Sequence, residues 1–168
     1  MKQLVGKEII SALAASNIEY ILSLPDITTS EHVLKPLFKD KRFQVIQVCK
    51  EDEAISISAG LYAAGKKSVI LIQHTGLLDS INSLRAVSME IQNPSVFLVG
   101  LLRHKSGFDP NNSERYGIKI MQSILTAMDT SFTYIDKNGQ EPSIIPIINN
   151  AYNNAQPHVV LIGGVPQE

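Results

Sequence analysis

Six short runs of β-branched and aliphatic residues, with helical patterns between them, leave this chain few ways to fold. The runs are Tyr20–Leu24, Phe43–Val48, Ser68–Ile72, Ser95–Gly100 and His158–Ile162, with a weaker one at Phe132–Ile135. Their near-continuous Val, Ile and Leu content predicts strands buried on both faces, as in a parallel sheet covered by helices. Helical spacing fits Leu4–Ser16, Glu31–Phe38, Asp52–Ala64, Leu78–Gln92, Glu114–Met128 and about Pro142–Asn154. The alternation predicts a three-layer α/β/α fold with a parallel sheet of about six strands.

The length of 168 residues suits one domain, residues 1–168, with a substantial core. A formal net charge of −1 gives no electrostatic reason to expect nucleic acid or a membrane surface as partner. One cysteine, Cys49, allows no intramolecular disulfide and no cysteine-based metal cluster; at a strand end it reads as a packing residue. Met1–Glu8 turns polar too quickly for a signal peptide. No apolar run approaches the about 20 residues of a membrane helix. The expectation is a soluble, cytoplasmic protein.

In an open α/β sheet, ligands bind beyond the carboxyl ends of the strands. Three segments converge there: Ser23–Ser30 after the first strand, Glu51 and its neighbours after the second, and Gln73–Asn82 after the third. Glu51 closes a β-branched run and opens a helix. Such a carboxylate is either a helix-dipole partner, worth about 0.3–1 kcal/mol, or a catalytic acid/base. Asp52 and Glu53 read as helix-start residues. Thr75 reads as a cap of the following helix, and Gly76 permits close backbone approach. Arg103, His104 and Lys105 form a basic cluster opening the irregular stretch Arg103–Ser113. They can meet an anion or simply be solvated. His32 and His158 read as structural or surface residues.

Glu51, with Gly60 nine residues on inside Ser58-Ala-Gly-Leu-Tyr-Ala-Ala-Gly65, resembles the pyrimidine-binding (PYR) domain of thiamine-diphosphate enzymes. Within that family, Leu24-Pro-Asp26 resembles the Val-Pro-Asp/Cys loop of the sulfopyruvate and phosphonopyruvate decarboxylases. Leu71-Ile-Gln-His-Thr-Gly-Leu77 resembles their Met-Gln-Asn-Ser-Gly-Leu segment, and Asn82-Ser-Leu84, Pro94 and Tyr116-Gly-Ile118 keep the same register. The resemblance covers most of the chain.

It implies thiamine diphosphate as cofactor and Glu51 as the residue that promotes the tautomeric shift of its aminopyrimidine. It also implies cofactor contacts from Pro25, Gln73, Thr75 and Gly76. Asp26, His74, Arg103 and His104 become candidates for an anionic 2-oxoacid substrate. The chain departs from the pattern at several points. Leu78 and Asp79 replace a glycine and an asparagine, His74 stands at an asparagine position, and Arg103-His-Lys105 replaces a Trp-Arg-Gly-like sequence. The serine that usually follows Pro-Asp is missing after Asp26.

The family holds the diphosphate and Mg²⁺ on a second domain marked by Gly-Asp-Gly and a later Asn-Asn, and this chain contains no Gly-Asp-Gly. Asn111-Asn112, Asn149-Asn150 and Asn153-Asn154 therefore read as turn and helix-surface residues. The resemblance implies half of an active site, with a β-type partner subunit holding Mg²⁺ and the diphosphate in a hetero-oligomer. The expected activity is that of the alpha-type subunit of a two-subunit 2-oxoacid decarboxylase. A carboligase or synthase subunit, or a non-catalytic assembly module keeping the fold, are the alternatives.

Overall fold

A computed structural model of the protein describes residues 3–168. Its strands are β1 (Tyr20–Ser23), β2 (Gln44–Gln47), β3 (Ser68–Gln73), β4 (Val96–Leu101), β5 (Ser131–Ile135) and β6 (His158–Gly163). The helices are α1 (Gly6–Ala15), α2 (Lys35–Lys39), α3 (Glu51–Ala63), α4 (His74–Asp79), α5 (Ile81–Ser83), α6 (Tyr116–Lys119), α7 (Met121–Ala127) and α8 (Ile144–Asn154). Wider turns at Ser30–Leu34 and Leu84–Glu90 continue into α2 and out of α5.

All strand pairs are parallel, in the order β2-β1-β3-β4-β6-β5. Alternate side chains enter opposite layers, as the two-residue period requires. Ile21, Val69, Leu71, Leu98, Val160 and Ile162 meet α1, α2 and α8 on one face. Leu22, Ile70, Phe97, Val99, Val159 and Leu161 meet α3, α4, α6 and α7 on the other. The three-layer α/β/α expectation from the sequence is met.

Three local expectations are corrected. Burial on both faces holds for β3, β4 and β6, whereas β2 and β5 are partly exposed, because each edge strand has a neighbour on one side only. The helix expected at Leu78–Gln92 begins at His74, directly at the end of β3, and breaks at Ser80. There the Ser80 hydroxyl donates to the Gly76 carbonyl at 2.7 Å, a back-bond that bends helices. The helix expected at Glu114–Met128 is likewise split at Ile120 into α6 and α7. No helix among the described residues is long and apolar enough to cross a membrane.

The connection β1-β2 runs through the α2 layer, and β3-β4 through the α4 layer on the opposite face. The chain therefore leaves the neighbouring ends of β1 and β3 in opposite directions. That reversal opens a crevice at the carboxyl edge, the usual ligand position in such sheets.

Candidate active site

Three carboxylates open α3, and each is used differently. Glu53 reaches back to the helix start, where its carboxylate accepts the backbone N–H groups of Cys49 (2.9 Å) and Lys50 (3.2 Å), as in a capping box. Asp52 lies 3.6 Å from the Lys50 ammonium. Glu51 does neither. Its half-buried side chain lies across the backbone of Gly76 in the first turn of α4. A Cβ at position 76 would sit 2.1 Å from Glu51 Oε1 and 2.3 Å from its Cγ. Among the described residues the Glu51 carboxylate has no hydrogen-bond or ion-pair partner. The capping bonds of this helix are made by Glu53, while Glu51 shares its acidic first turn with Asp52 and Glu53.

Beside this contact, β3 runs into α4 without a loop. Gln73, not Thr75, is the residue preceding the helix, and its amide donates to the Thr75 hydroxyl at 2.6 Å. Thr75 sits inside the first turn and is exposed. Pro25 is exposed at the end of β1, next to Ile27, which is 64% exposed. Glu51, Pro25, Gln73, Thr75 and Gly76 thus occupy the edge formed by adjacent β2, β1 and β3.

Asp26 is buried and committed. One oxygen accepts the backbone N–H groups of Thr28 and Thr29 (2.8 Å for Thr29), and the other accepts the Thr29 hydroxyl. The loop it ties docks on Gly100 near the end of β4, where an added Cβ would lie 2.8 Å from both Asp26 Oδ1 and Thr28 Cβ. Asp26 is therefore an organiser of the β1 loop. The glycine that admits it was readable as a small residue inside an apolar strand, a known mark of close backbone approach.

His74 is also buried. The Leu102 amide donates to its Nδ1 at 3.3 Å, and its Nε2 faces Gly117 of α6. Burial holds its pKa below the ordinary histidine value, and the charge of Arg115 adds to this, while the Gly100 backbone and Asp26 oppose it. His74 joins α4 to the end of β4 and to α6.

Arg103 and His104 sit on the next stretch of the edge, away from the Glu51 seat. His104 is turned inward, with Nε2 donating to the Phe108 carbonyl at 3.0 Å and its ring edge-on to Tyr134 at 6.1 Å. The Phe108 carbonyl also accepts the Tyr134 hydroxyl at 3.2 Å. Arg103 lines a cavity of about 690 Å³ together with Lys105, Phe108 and Val165. Sequence reasoning missed this cavity because Gly164, Val165 and Gln167 arrive from the segment after β6.

Of the remaining residues, Cys49 is exposed and not packed. Its backbone N–H serves the Glu53 bond. His158 shares a 2.9 Å hydrogen bond with Thr133. Asn149, Asn150, Asn153 and Asn154 lie on the exposed side of α8. No group of three or more His, Cys, Asp or Glu is placed to hold a metal ion among the described residues.

This architecture defines a class: an all-parallel three-layer α/β protein with an uncommitted carboxylate beside a topological crevice. Among known proteins, the chain resembles the alpha subunit of sulfopyruvate decarboxylase. It is 37% identical over 91 residues to the sulfopyruvate decarboxylase subunit alpha of Methanocaldococcus jannaschii, covering 54% of this chain and 53% of that protein. It is 30% identical over 94 residues to the subunit alpha of Methanococcus maripaludis, covering 56% of each. A match of 27% identity over 160 residues to the sulfopyruvate decarboxylase of Methanosarcina acetivorans covers 93% of this chain but 39% of that protein. No known family model matches the sequence. The chain spans about half the length, or less, of the curated relatives it matches.

Proposed function

We propose that this chain is the alpha-type subunit of a two-subunit, thiamine-diphosphate-dependent 2-oxoacid decarboxylase, with residues 1–168 as one PYR-type domain. Sulfopyruvate and phosphonopyruvate are the nearest substrate classes. The observation that carries this reading is the Glu51 carboxylate, half-buried on Gly76 at the sheet's crevice and spared from capping by Glu53. A carboxylate held in place without a partner of its own suits a group that must exchange a proton with a ring nitrogen. When bound, thiamine diphosphate supplies the electron sink that lets a 2-oxoacid lose carbon dioxide.

In this reading Glu51 holds and returns the proton at the aminopyrimidine. Gln73, Thr75 and Gly76 form the α4 side of the cofactor's seat, and Pro25 forms the β1 side. The alpha-subunit names of the relatives, and the longer Methanosarcina acetivorans protein of which the match covers 39%, support a second half supplied by a β-type partner. That half would hold Mg²⁺ and the diphosphate. Arg103 and His104 are less suited to the substrate role, since His104 is tied to Phe108 and Arg103 opens on a separate cavity.

The test is coexpression with a partner carrying Gly-Asp-Gly and Asn-Asn, followed by carbon dioxide release from sulfopyruvate and phosphonopyruvate. Glu51→Gln should lower kcat by about 100-fold or more, within the range of general acid/base contributions, with the complex still assembled. Undiminished turnover in that variant would refute the assignment.

A further inference from the structure

The sheet has a second place where the chain parts in opposite directions. After β4 it passes to the α6 and α7 layer, whose Ile118, Met121 and Leu125 pack on one face. After β6 it turns to the other layer, where Gln167 pairs with Val5 at the start of α1. The Gln167 carbonyl accepts the Gly6 N–H, and the Gln167 N–H donates to the Leu4 carbonyl, both at 2.7 Å. Strands β4 and β6 are neighbours, and the segments that follow them part to opposite layers, which leaves a crevice at their carboxyl ends.

The 690 Å³ cavity occupies this crevice, a volume ordinary for small-molecule sites. Its walls have a defined chemistry. Arg103 and Lys105 supply two cations that make no ion pair among the described residues. Phe108 (64% exposed) and Val165 (41% exposed) supply the apolar surface. The Phe108 ring faces outward although its own carbonyl is pinned by His104 and Tyr134, so the exposure is not loop slack. At the base the walls touch: Ser106 donates to the Gly163 carbonyl at 3.2 Å, and a Cβ at Gly164 would lie 2.4 Å from the Ser106 hydroxyl. The Gly107 N–H is held by buried Asp136 at 2.6 Å. Arg103 itself takes a left-handed φ of 55° at the turn that follows β4.

We propose that this crevice binds a small organic anion in which a phosphate, sulfonate or carboxylate meets Arg103 and Lys105 and a flat apolar part rests on Phe108 and Val165. The inference goes beyond the decarboxylase reading and stands without it, because it needs neither cofactor nor partner.

The probe is phenyl phosphate, titrated into the full chain and followed by backbone amide NMR, with inorganic phosphate and phenol as separate arms. Phenyl phosphate should shift the Ser106, Gly164 and Val165 amides, leave Glu51 and Gly76 unmoved, and bind more weakly as salt is raised. Each arm alone should bind about tenfold more weakly or worse, since each lacks one of the two contacts. The double variant R103Q/K105Q should lose about tenfold or more in affinity, because charge-assisted hydrogen bonds are the strong ones. Phe108→Ala should weaken phenyl phosphate but not inorganic phosphate. Shifts confined to the Glu51 edge, or equal affinity in the double variant, would overturn the proposal, as would no shift at millimolar probe. Activity of the assembled enzyme does not enter this test, so the two readings fail separately.

Discussion

Replacing Gly76 by alanine would put a methyl carbon 2.1–2.3 Å from Oε1, Cδ and Cγ of Glu51. Nonbonded heavy atoms settle at about 3.5–4.0 Å, so the carboxylate has to withdraw by more than about 1 Å. The side chain is half-buried and makes no bond it must break. An off-rotamer adjustment of this kind costs about 0.5–1.5 kcal/mol. Alanine returns about 1 kcal/mol through helix propensity, and no positive φ at Gly76 opposes it. The two effects nearly cancel, leaving stability within about 1 kcal/mol and Tm within about 2–4 °C for a chain of this size. Catalysis is far less tolerant, since a displacement of about 1 Å can cost about 100-fold in rate. Thermal unfolding of the isolated chain and turnover of the assembled enzyme should therefore separate, with Tm held and kcat reduced about 100-fold. Gly60→Ala is the comparator. Nothing lies within 4 Å of a Cβ there, so it should gain about 1 kcal/mol of stability. Normal turnover by Gly76→Ala would refute the idea that Gly76 sets the position of Glu51. A large fall in Tm would show that the contact is packing rather than a seat.

Further outcomes follow from the neighbouring groups. Glu53→Ala removes the capping bonds to Cys49 and Lys50 and should cost about 1 kcal/mol while leaving turnover intact, the reverse of Glu51→Gln. Asp26→Ala strands the Thr28 and Thr29 amides in a buried loop and should cost about 2–3 kcal/mol, or roughly 5–10 °C in Tm. For His74, burial lowers the folded-state pKa below 6.5, so as pH falls past about 6.5 the unfolded chain takes up a proton first. Stability is then full above that point and declines below it. His158, lowered by burial alone, contributes in the same sense. A pH series of Tm from about 7.5 to about 5 should be flatter for His74→Gln than for the natural chain, and an unchanged slope would count against the assignment.

Strand positions were legible because β-branched runs such as Val69–Ile72 and Val96–Val99 are buried on both faces, and burial is what their composition records. The broken helices were not, because the apolar pattern runs unbroken through Ser80 and Ile120 while the chain bends at each. Glu51 could be placed at a helix start from sequence alone. Its freedom from capping depends on Glu53 folding back, and its seat depends on Gly76, which only tertiary structure brings against it. Asp26 and His74 drew notice through the family pattern. Their burial, against Gly100 and Gly117, arises from loops that cross between strands. Arg103 and Lys105 could be placed after β4 from sequence alone, but not beside the residues that follow β6, which strand order brings to the same cavity.

The pairing of β4 with β6 has a consequence for how the chain comes to exist. All six residues of β4 are buried, yet one of its two sheet partners, His158–Gly163, is made only after β5 and α8. During synthesis the N-terminal part can close β2, β1, β3 and β4 into a sheet while β4 still offers an apolar, unpaired edge. Such edges are templates for association with other chains. Synthesis therefore passes through an interval, between β4 and β6, in which this apolar edge is open, and the arrival of β6 closes it.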